Sequence, residues 1–149
     1  MSVKTFPRKR AAGVALICGK LVLLGKRVEF IDGVRVPFGG YWSVFGGAID
    51  PDESVISCAA RELKEETNIK VNKADLKYIE TFGKGEKEFT LHIAEVGELL
   101  TPVLNSEHSE YGWFEIDALC NLPDKIDPKI ISSLEKYIKG GFSFPTSER

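Results

Sequence analysis

The chain has 149 residues, 20 Lys and Arg against 22 Asp and Glu, a net charge of −2 and a sequence isoelectric point of about 5.8. That length supports one domain with one real core, and the weak acidity excludes a protein whose main work is coating long nucleic acid, for which a basic domain is expected. The hydrophobic fraction of 43% and charged fraction of 28% are ordinary for a globular chain, and no apolar run reaches the roughly 18 residues that would suggest a membrane span.

Lys4, Arg8, Lys9 and Arg10 precede only a short apolar run, so the form of a signal peptide is not met. Cys18, Cys58 and Cys120 are odd in number, widely spaced and without a CxxC pattern; they read as thiols in a reducing, cytoplasmic setting. Arg10 to Cys18 and Lys20 to Lys26 are Val/Leu-rich runs joined at Gly19 and predict a hairpin. Glu29 to Gly40, with Gly33, Pro37, Gly39 and Gly40, predicts a loop, and Tyr41 to Phe45 a short strand leading into a Gly46-Gly47 turn. Ser54 to Thr67 lacks Gly and Pro and predicts a helix, with Ile56, Ala59, Ala60 and Leu63 as its core stripe. Two strands follow, Leu76 to Phe82 and Glu88 to Val96, then a short one at Tyr111 to Ile116. Asp117 is placed to cap a short helix through Leu122. Asp127-Pro128 opens a final helix, Pro128 to Lys139, ended by Gly140-Gly141. Residues of about 1–8 and 141–149 are expected to be frayed or lightly docked. Strands first, a central helix, more strands and a terminal helix predict an α+β layer architecture in a single domain over 1–149.

The central helix raises a physical question. Glu62, Glu65 and Glu66 crowd one side of it, beside the apolar stripe, where like charges three and four residues apart repel. A divalent cation would turn that repulsion into attraction, because Mg²⁺ takes carboxylate oxygens, waters and substrate phosphates. The residues also stand in a known order: Gly47, five residues, Glu53, seven residues, Arg61-Glu62-Leu63, one residue, Glu65-Glu66, one residue, Asn68-Ile69. This resembles the Nudix box, G-x5-E-x7-R-E-U-x-E-E-x-G-U, at every fixed position except the last glycine, which is Asn68. VLLGKR, YWSVFGG and YGWFEIDAL extend the resemblance along most of the chain. Family members often carry Pro where this chain has Phe45. Asn68 stands where a left-handed helix stop is needed, and Asn is the residue that best replaces Gly there.

The resemblance implies a Nudix-type α/β/α sandwich with a mixed sheet and the box as loop-helix-loop. It implies Mg²⁺- or Mn²⁺-dependent hydrolysis of a pyrophosphate bond in a nucleoside diphosphate linked to some group X. Glu62, Glu65 and Glu66, with the carbonyl of Gly46 or Gly47, would ligate metal, while Glu53 and Arg61 would pair and fix the cluster. The first expectation for the general base is Glu65, then Glu107 and Glu110; His108 in the same NSEHSEYGW stretch is the base if a nucleotide sugar is the substrate. Lys26, Arg27 and Arg35 are candidate phosphate contacts, and Tyr41, Trp42, Phe45, Phe82 and Phe89 include candidates for base stacking. The leading expectation is a small (d)NTP or oxidised (d)NTP as substrate, giving a nucleoside monophosphate and pyrophosphate. The alternatives are a nucleotide sugar of the GDP-mannose type, a dinucleoside polyphosphate or RNA cap, and a catalytically silent nucleotide-binding module. The partner expected is a small nucleotide, with no membrane and no long nucleic acid, and a homodimer is open.

Overall fold

The structure is a computed structural model that describes residues 10–122 and 125–140. The frayed ends expected at about 1–8 and 141–149 lie outside the described residues. Nine strands are described: β1 (Ala11–Cys18), β2 (Leu21–Arg27), β3 (Phe30–Ile31), β4 (Val34–Arg35), β5 (Trp42–Ser43), β6 (Phe45–Ala48), β7 (Lys77–Phe82), β8 (Phe89–Glu95) and β9 (His108–Glu115). Two α-helices accompany them, α1 (Val55–Thr67) and α2 (Pro128–Ile138), together with short 3-10 segments such as Ile116–Asn121. None of the described helices is long and apolar enough to cross a membrane.

The mixed sheet follows from the apolar runs. β1 lies parallel to β8, from Ala11 opposite Phe89 to Ile17 opposite Glu95, and β7 pairs antiparallel with β8 beyond it. On its other edge, β1 pairs with β2 only next to the hairpin turn, at Ile17–Val22 and Cys18–Leu21. Further along, the two strands take different partners. β5 pairs with β2, and β6 pairs with β1 from Val14–Phe45 to Ala11–Ala48. β9 covers the far edge of β2.

The sheet sorts its side chains to two faces. One face packs Val14, Leu16, Leu23 and Phe45 against Cys58, Ala59 and Leu63 of α1. The other packs Ala15, Ile17, Leu24 and Ile93 against Ile130 and Leu134 of α2, with Ile116 and Leu119 completing the layer. The result is the α/β/α sandwich expected.

Three local expectations need correction. Glu29 to Gly40 is not only loop: β3 and β4 form a small hairpin, whose Asp32-Gly33 turn has φ of 50° and 79°, the pair of positive φ values that favours Asp-Gly in a two-residue hairpin turn. Gly46-Gly47 is not a turn but the middle of β6. The absence of side chains lets β6 approach β1 closely, since a Cβ on Gly46 would lie 2.4 Å from the Ala12 carbonyl oxygen. The strand expected at Tyr111 to Ile116 begins at His108, which is therefore in the sheet and not on an open loop.

Candidate active site

Helix α1 is held at both ends by its own sequence. The Ser54 hydroxyl accepts from the Ser57 amide at 3.2 Å. At the other end Asn68 is left-handed, with φ 62° and ψ 15°, and its amide donates to the Lys64 carbonyl, the stop that left-handed Asn can supply in place of Gly. Just before it, Thr67 is fully buried; its hydroxyl donates to the Leu63 carbonyl at 2.6 Å, and its own carbonyl accepts from Val103 at 2.9 Å. That last bond fixes the segment leading to Glu107 against the end of α1.

The three glutamates of the helix occupy unlike environments. Glu66 is 1% exposed. Its Oε1 accepts from the Gly46 amide at 2.9 Å, while its Oε2 is buried with no hydrogen-bond partner. Burial, reinforced by the charges of Glu62 and Glu107, pushes its carboxyl up to about 9. Glu62 is largely buried, its side chain 13% exposed; burial first, then Glu65 and Glu107, raises its carboxyl, against the opposing pull of Arg61. Its carboxylate lies directly on Gly47, where a Cβ would meet the carboxyl carbon at 2.4 Å. Glu65 is about half exposed and is gripped by Arg61 through both oxygens, at 3.1 and 3.2 Å.

Arg61 ties these parts together. It makes a two-pronged contact with Glu53 at 2.7 and 2.9 Å, reaches Glu62 at 3.1 Å, and donates to the Ala48 carbonyl at 3.1 Å. The guanidinium holds the Glu53 carboxyl down to about 2, and Glu53 in turn raises Arg61 further above its ordinary range. The expected Arg61–Glu53 pair is thus formed, and it joins the β6–α1 loop to the helix. Cys58, which the sequence offers only as a reduced thiol, lies beneath this loop with Sγ 3.4 Å from the carbonyl oxygens of both Gly47 and Ala48; burial pushes its thiol up to about 11, so it is a weak donor here and no nucleophile.

The charges that bear on Glu66 show which distant residues the fold brings near. Glu107 raises both Glu62 and Glu66, and Arg27 opposes the shift at Glu66. Glu110 goes elsewhere: its side chain is 60% exposed and pairs with Lys26 at 3.9 Å, opposite it on β2. Of the two carboxylates only Glu107 bears electrostatically on Glu62 and Glu66. His108 is 6% exposed, edge-on to Phe45 at 4.9 Å, and its Nδ1 is buried without a partner. Burial, then Arg27, pushes its imidazole down to about 4. It is a buried residue at the start of β9, outside the cleft lining, which corrects the reading of this stretch as an open loop.

Beside Gly46, Gly47 and Ala48 opens a cleft of about 560 Å³. Arg27, Phe38, Tyr41 and Trp42 line it on one side, Phe82, Lys87 and Phe89 on another, and Asp127, Lys129 and Ile130 at the start of α2. Arg27, Tyr41, Phe82 and Phe89 are among the substrate contacts the sequence offers; Trp42 is another, but it is 6% exposed and packed edge-on to Phe114 at 4.9 Å. Lys26 is on the Glu110 pair instead, and Arg35 lies over the exposed ring of Phe30 at 4.9 Å, away from the cleft lining. Phe45 corrects another expectation: at 1% exposure it is core, and a Cβ on Gly25 would strike its ring at 2.6 Å, so it has no face for a base. Phe38, Lys87 and Lys129 were missed. Asp127 was read only as a helix cap, which it is, accepting from the Lys129 amide at 2.9 Å.

The donors fit a hard divalent cation. Glu66 offers a buried carboxylate oxygen with nothing to pair it, Glu62 lies on the glycine strand next to it, and Glu107 adds charge from the facing segment. Among the described residues, however, no three acidic, His or Cys side chains already converge as a ligand set; Glu65 in particular is turned to Arg61.

The pattern of the NUDIX domain family matches residues 7–137. The chain is 31% identical over 131 residues to an octanoyltransferase of Myxococcus xanthus, over 78% of this chain and 34% of that one. It is 31% identical over 91 residues to putative 8-oxo-dGTP diphosphatase 3 of Mycobacterium tuberculosis, over 57% and 42%. Against the asymmetrical bis(5'-nucleosyl)-tetraphosphatase of Sus scrofa it is 29% identical over 131 residues, covering 76% of this chain and 88% of that one. The chain therefore spans well under half the length of the first two. Among solved structures, a MutT protein from Methanosarcina mazei Go1 superposes with a TM-score of 0.68 at 22% identity, covering 95% of this chain and 100% of that one, which is a likeness of fold.

Proposed function

Because this chain belongs to the NUDIX family of pyrophosphohydrolases, which work with a divalent metal, we propose that it hydrolyses the pyrophosphate bond of a small (d)NTP or oxidised (d)NTP, releasing a nucleoside monophosphate and pyrophosphate. The observation that carries the reading is the buried, partnerless oxygen of Glu66 beside the glycine strand that edges the cleft. In this reading Glu62, Glu66 and Glu65, with a carbonyl of Gly46 or Gly47, would hold Mg²⁺, or Mn²⁺ in its place. A bound cation of this kind neutralises charge on phosphate oxygens and acidifies a water.

The chain's own residues do the remaining work. Arg61 and Glu53 lock the β6–α1 loop so that the glycine strand and the glutamates keep one spacing. Arg27 meets phosphate from the end of β2. Glu65 or Glu107 takes the proton of the attacking water; both are carboxylates at the cluster, whereas Glu110 is removed to Lys26. The domain acts as a single unit over 1–149.

A second substrate has its own support. The Sus scrofa tetraphosphatase is matched over 88% of its length, so a dinucleoside tetraphosphate is the competing substrate. The nucleotide-sugar alternative has less support, because His108, its base in that reading, is buried. The test is Mg²⁺-dependent turnover of the four dNTPs, oxidised dNTPs, dinucleoside tetraphosphate, nucleotide sugars and ADP-ribose, with products identified. Monophosphate and pyrophosphate from dNTPs support the first reading, and a split tetraphosphate with inert dNTPs supports the second. Wild type as inert as Glu66→Gln on every substrate would leave only a silent binding module.

A further inference from the structure

Phe38 is the most exposed of the large hydrophobic side chains described, at 70%. It lies on the lip of the cleft, and its backbone is left-handed, with φ 60°, a conformation that a bulky side chain rarely adopts. Both features are unfavourable alone, and such outliers persist only where the surroundings over-determine them.

Here the surroundings do. Arg27 grips the loop three times: its amide donates to the Tyr41 carbonyl at 2.9 Å, its carbonyl accepts from Gly40 at 2.8 Å, and its Nε donates to the Pro37 carbonyl at 3.2 Å. Gly39 donates to the Val36 carbonyl at 3.0 Å and Tyr41 to the Phe38 carbonyl at 3.1 Å. Gly39 packs so closely on Glu29 that a Cβ would fall 2.7 Å from its Cα. Among the described residues the ring meets the edge of Tyr41, at 5.5 Å and 85°. The loop is thus built to hold an aromatic face at the cleft mouth.

We propose that Phe38 is a specificity-determining residue that stacks on the planar base of the nucleotide held in the cleft, with Tyr41 supporting it edge-on. This rests on the reading of the cleft as a nucleotide site. Every base has a π face, so such stacking is tolerant of sequence. Phe38 therefore separates base-bearing phosphates from base-lacking ones, and does not separate one base from another.

The test measures binding of non-hydrolysable α,β-methylene analogues of the four dNTPs, and of inorganic tripolyphosphate, to wild type, Phe38→Gly and Phe38→Trp. Binding is read by isothermal titration calorimetry, and melting temperatures are taken in parallel. Phe38→Gly weakens all four analogues about tenfold, the scale of one base–aromatic stack, and changes tripolyphosphate less than twofold. Its melting temperature does not fall, since glycine accepts a positive φ without strain. Phe38→Trp binds the analogues at least as tightly as wild type. Equal losses for analogues and tripolyphosphate, no loss for either, or a lowered melting temperature matching the loss overturns the proposal; so does a wild type that binds none of them. Phe38-dependent binding without turnover of any substrate would instead sink the hydrolase reading and leave this one standing.

Discussion

The two faces of the sheet are built on different principles. The α2 face is a continuous apolar cluster, from Ala15 and Ile17 to Ile130 and Leu134, and its buried polar residue, Ser133, donates to Glu80. The α1 face buries Cys58, Glu66, Thr67, His92 and His108, and leaves one oxygen of Glu66 and one nitrogen of His108 without partners. An unpaired buried polar atom costs on the order of 1–3 kcal/mol, and more when charged. One face supplies stability; the other spends some of it on a site. The comparison makes separable claims: substitutions at the glutamates of the α1 face should change function more than folding, and those deep in the α2 cluster, away from the residues that line the cleft, the reverse.

The largest expected effect is at Glu66. Glu66→Gln removes the ionisable oxygen and keeps the shape. Hydrolysis should fall on the order of a hundredfold or more, beyond what loss of a merely supporting partner costs, while the metal-free protein keeps or gains stability. Mg²⁺ should raise the melting temperature of wild type and much less that of the variant. Equal Mg²⁺ shifts in scanning calorimetry would remove the metal from this face.

Next is its counterpart on the other face. Leu134 is fully buried in the α2 cluster, and Leu134→Ala should cost about 2–5 kcal/mol through lost contact and a residual cavity. Activity per folded molecule, measured well below the melting transition, should stay within about twofold. A large kcat loss in folded protein would show that the two faces are not independent.

The same contrast decides what was legible in the chain. Fixed spacing carried the α1 face: Gly47, Glu53, Arg61 and the three glutamates are set by one helix and its entry loop, so their pairing could be read before any fold. Long-range placement could not. Glu107 and Glu110 look alike three residues apart, and only the bulge in the β2–β9 pairing near Lys26 and Arg27 and the anchoring of Val103 to Thr67 bring one to the cluster and leave the other on Lys26. The Gly-Gly step reads locally as a turn; it is a strand because Ala12 and Gly13 leave room only for a backbone without side chains. Phe45 reads as an available aromatic until Gly25 and His108 enclose it. Phe38 gave no periodic signal because its role comes from a loop conformation, which no apolar pattern encodes.

A smaller effect tests the polar side of the α1 face. His92 is 4% exposed, with Nδ1 3.3 Å from the Gly13 carbonyl oxygen, and burial lowers its imidazole below the ordinary value. Unfolded, it titrates near 6.5. As pH falls below that point the unfolded chain takes up the proton first, so the folded state loses stability toward acid. His92→Leu should abolish that increment: the stability difference between the two proteins, from urea unfolding at a series of pH values, should shift in the variant's favour below about pH 6.5. A difference that does not vary with pH would mean the histidine titrates alike folded and unfolded.

The smallest expected effect lies where the sequence departs from the family pattern. Asn68 is already left-handed, so replacing it by Gly removes a modest strain and also removes the exposed contact in which Lys64 Nζ donates to Asn68 Oδ1 at 2.7 Å. The two changes oppose each other, and Asn68→Gly should alter stability by no more than about 0.5 kcal/mol and leave turnover within twofold, because the side chain points to Lys64 and not to the glutamates. Asn68→Val is the sharper partner. A β-branched residue at φ 62° costs roughly 1–2 kcal/mol, and that strain falls on the turn carrying Glu66 and Thr67. If Val lowers both stability and turnover while Gly lowers neither, the position acts through its backbone, and the departure from glycine is a conservative one. If Gly alone changes turnover with stability unmoved, the Asn68 side chain has a part in the site that its contact with Lys64 does not reveal.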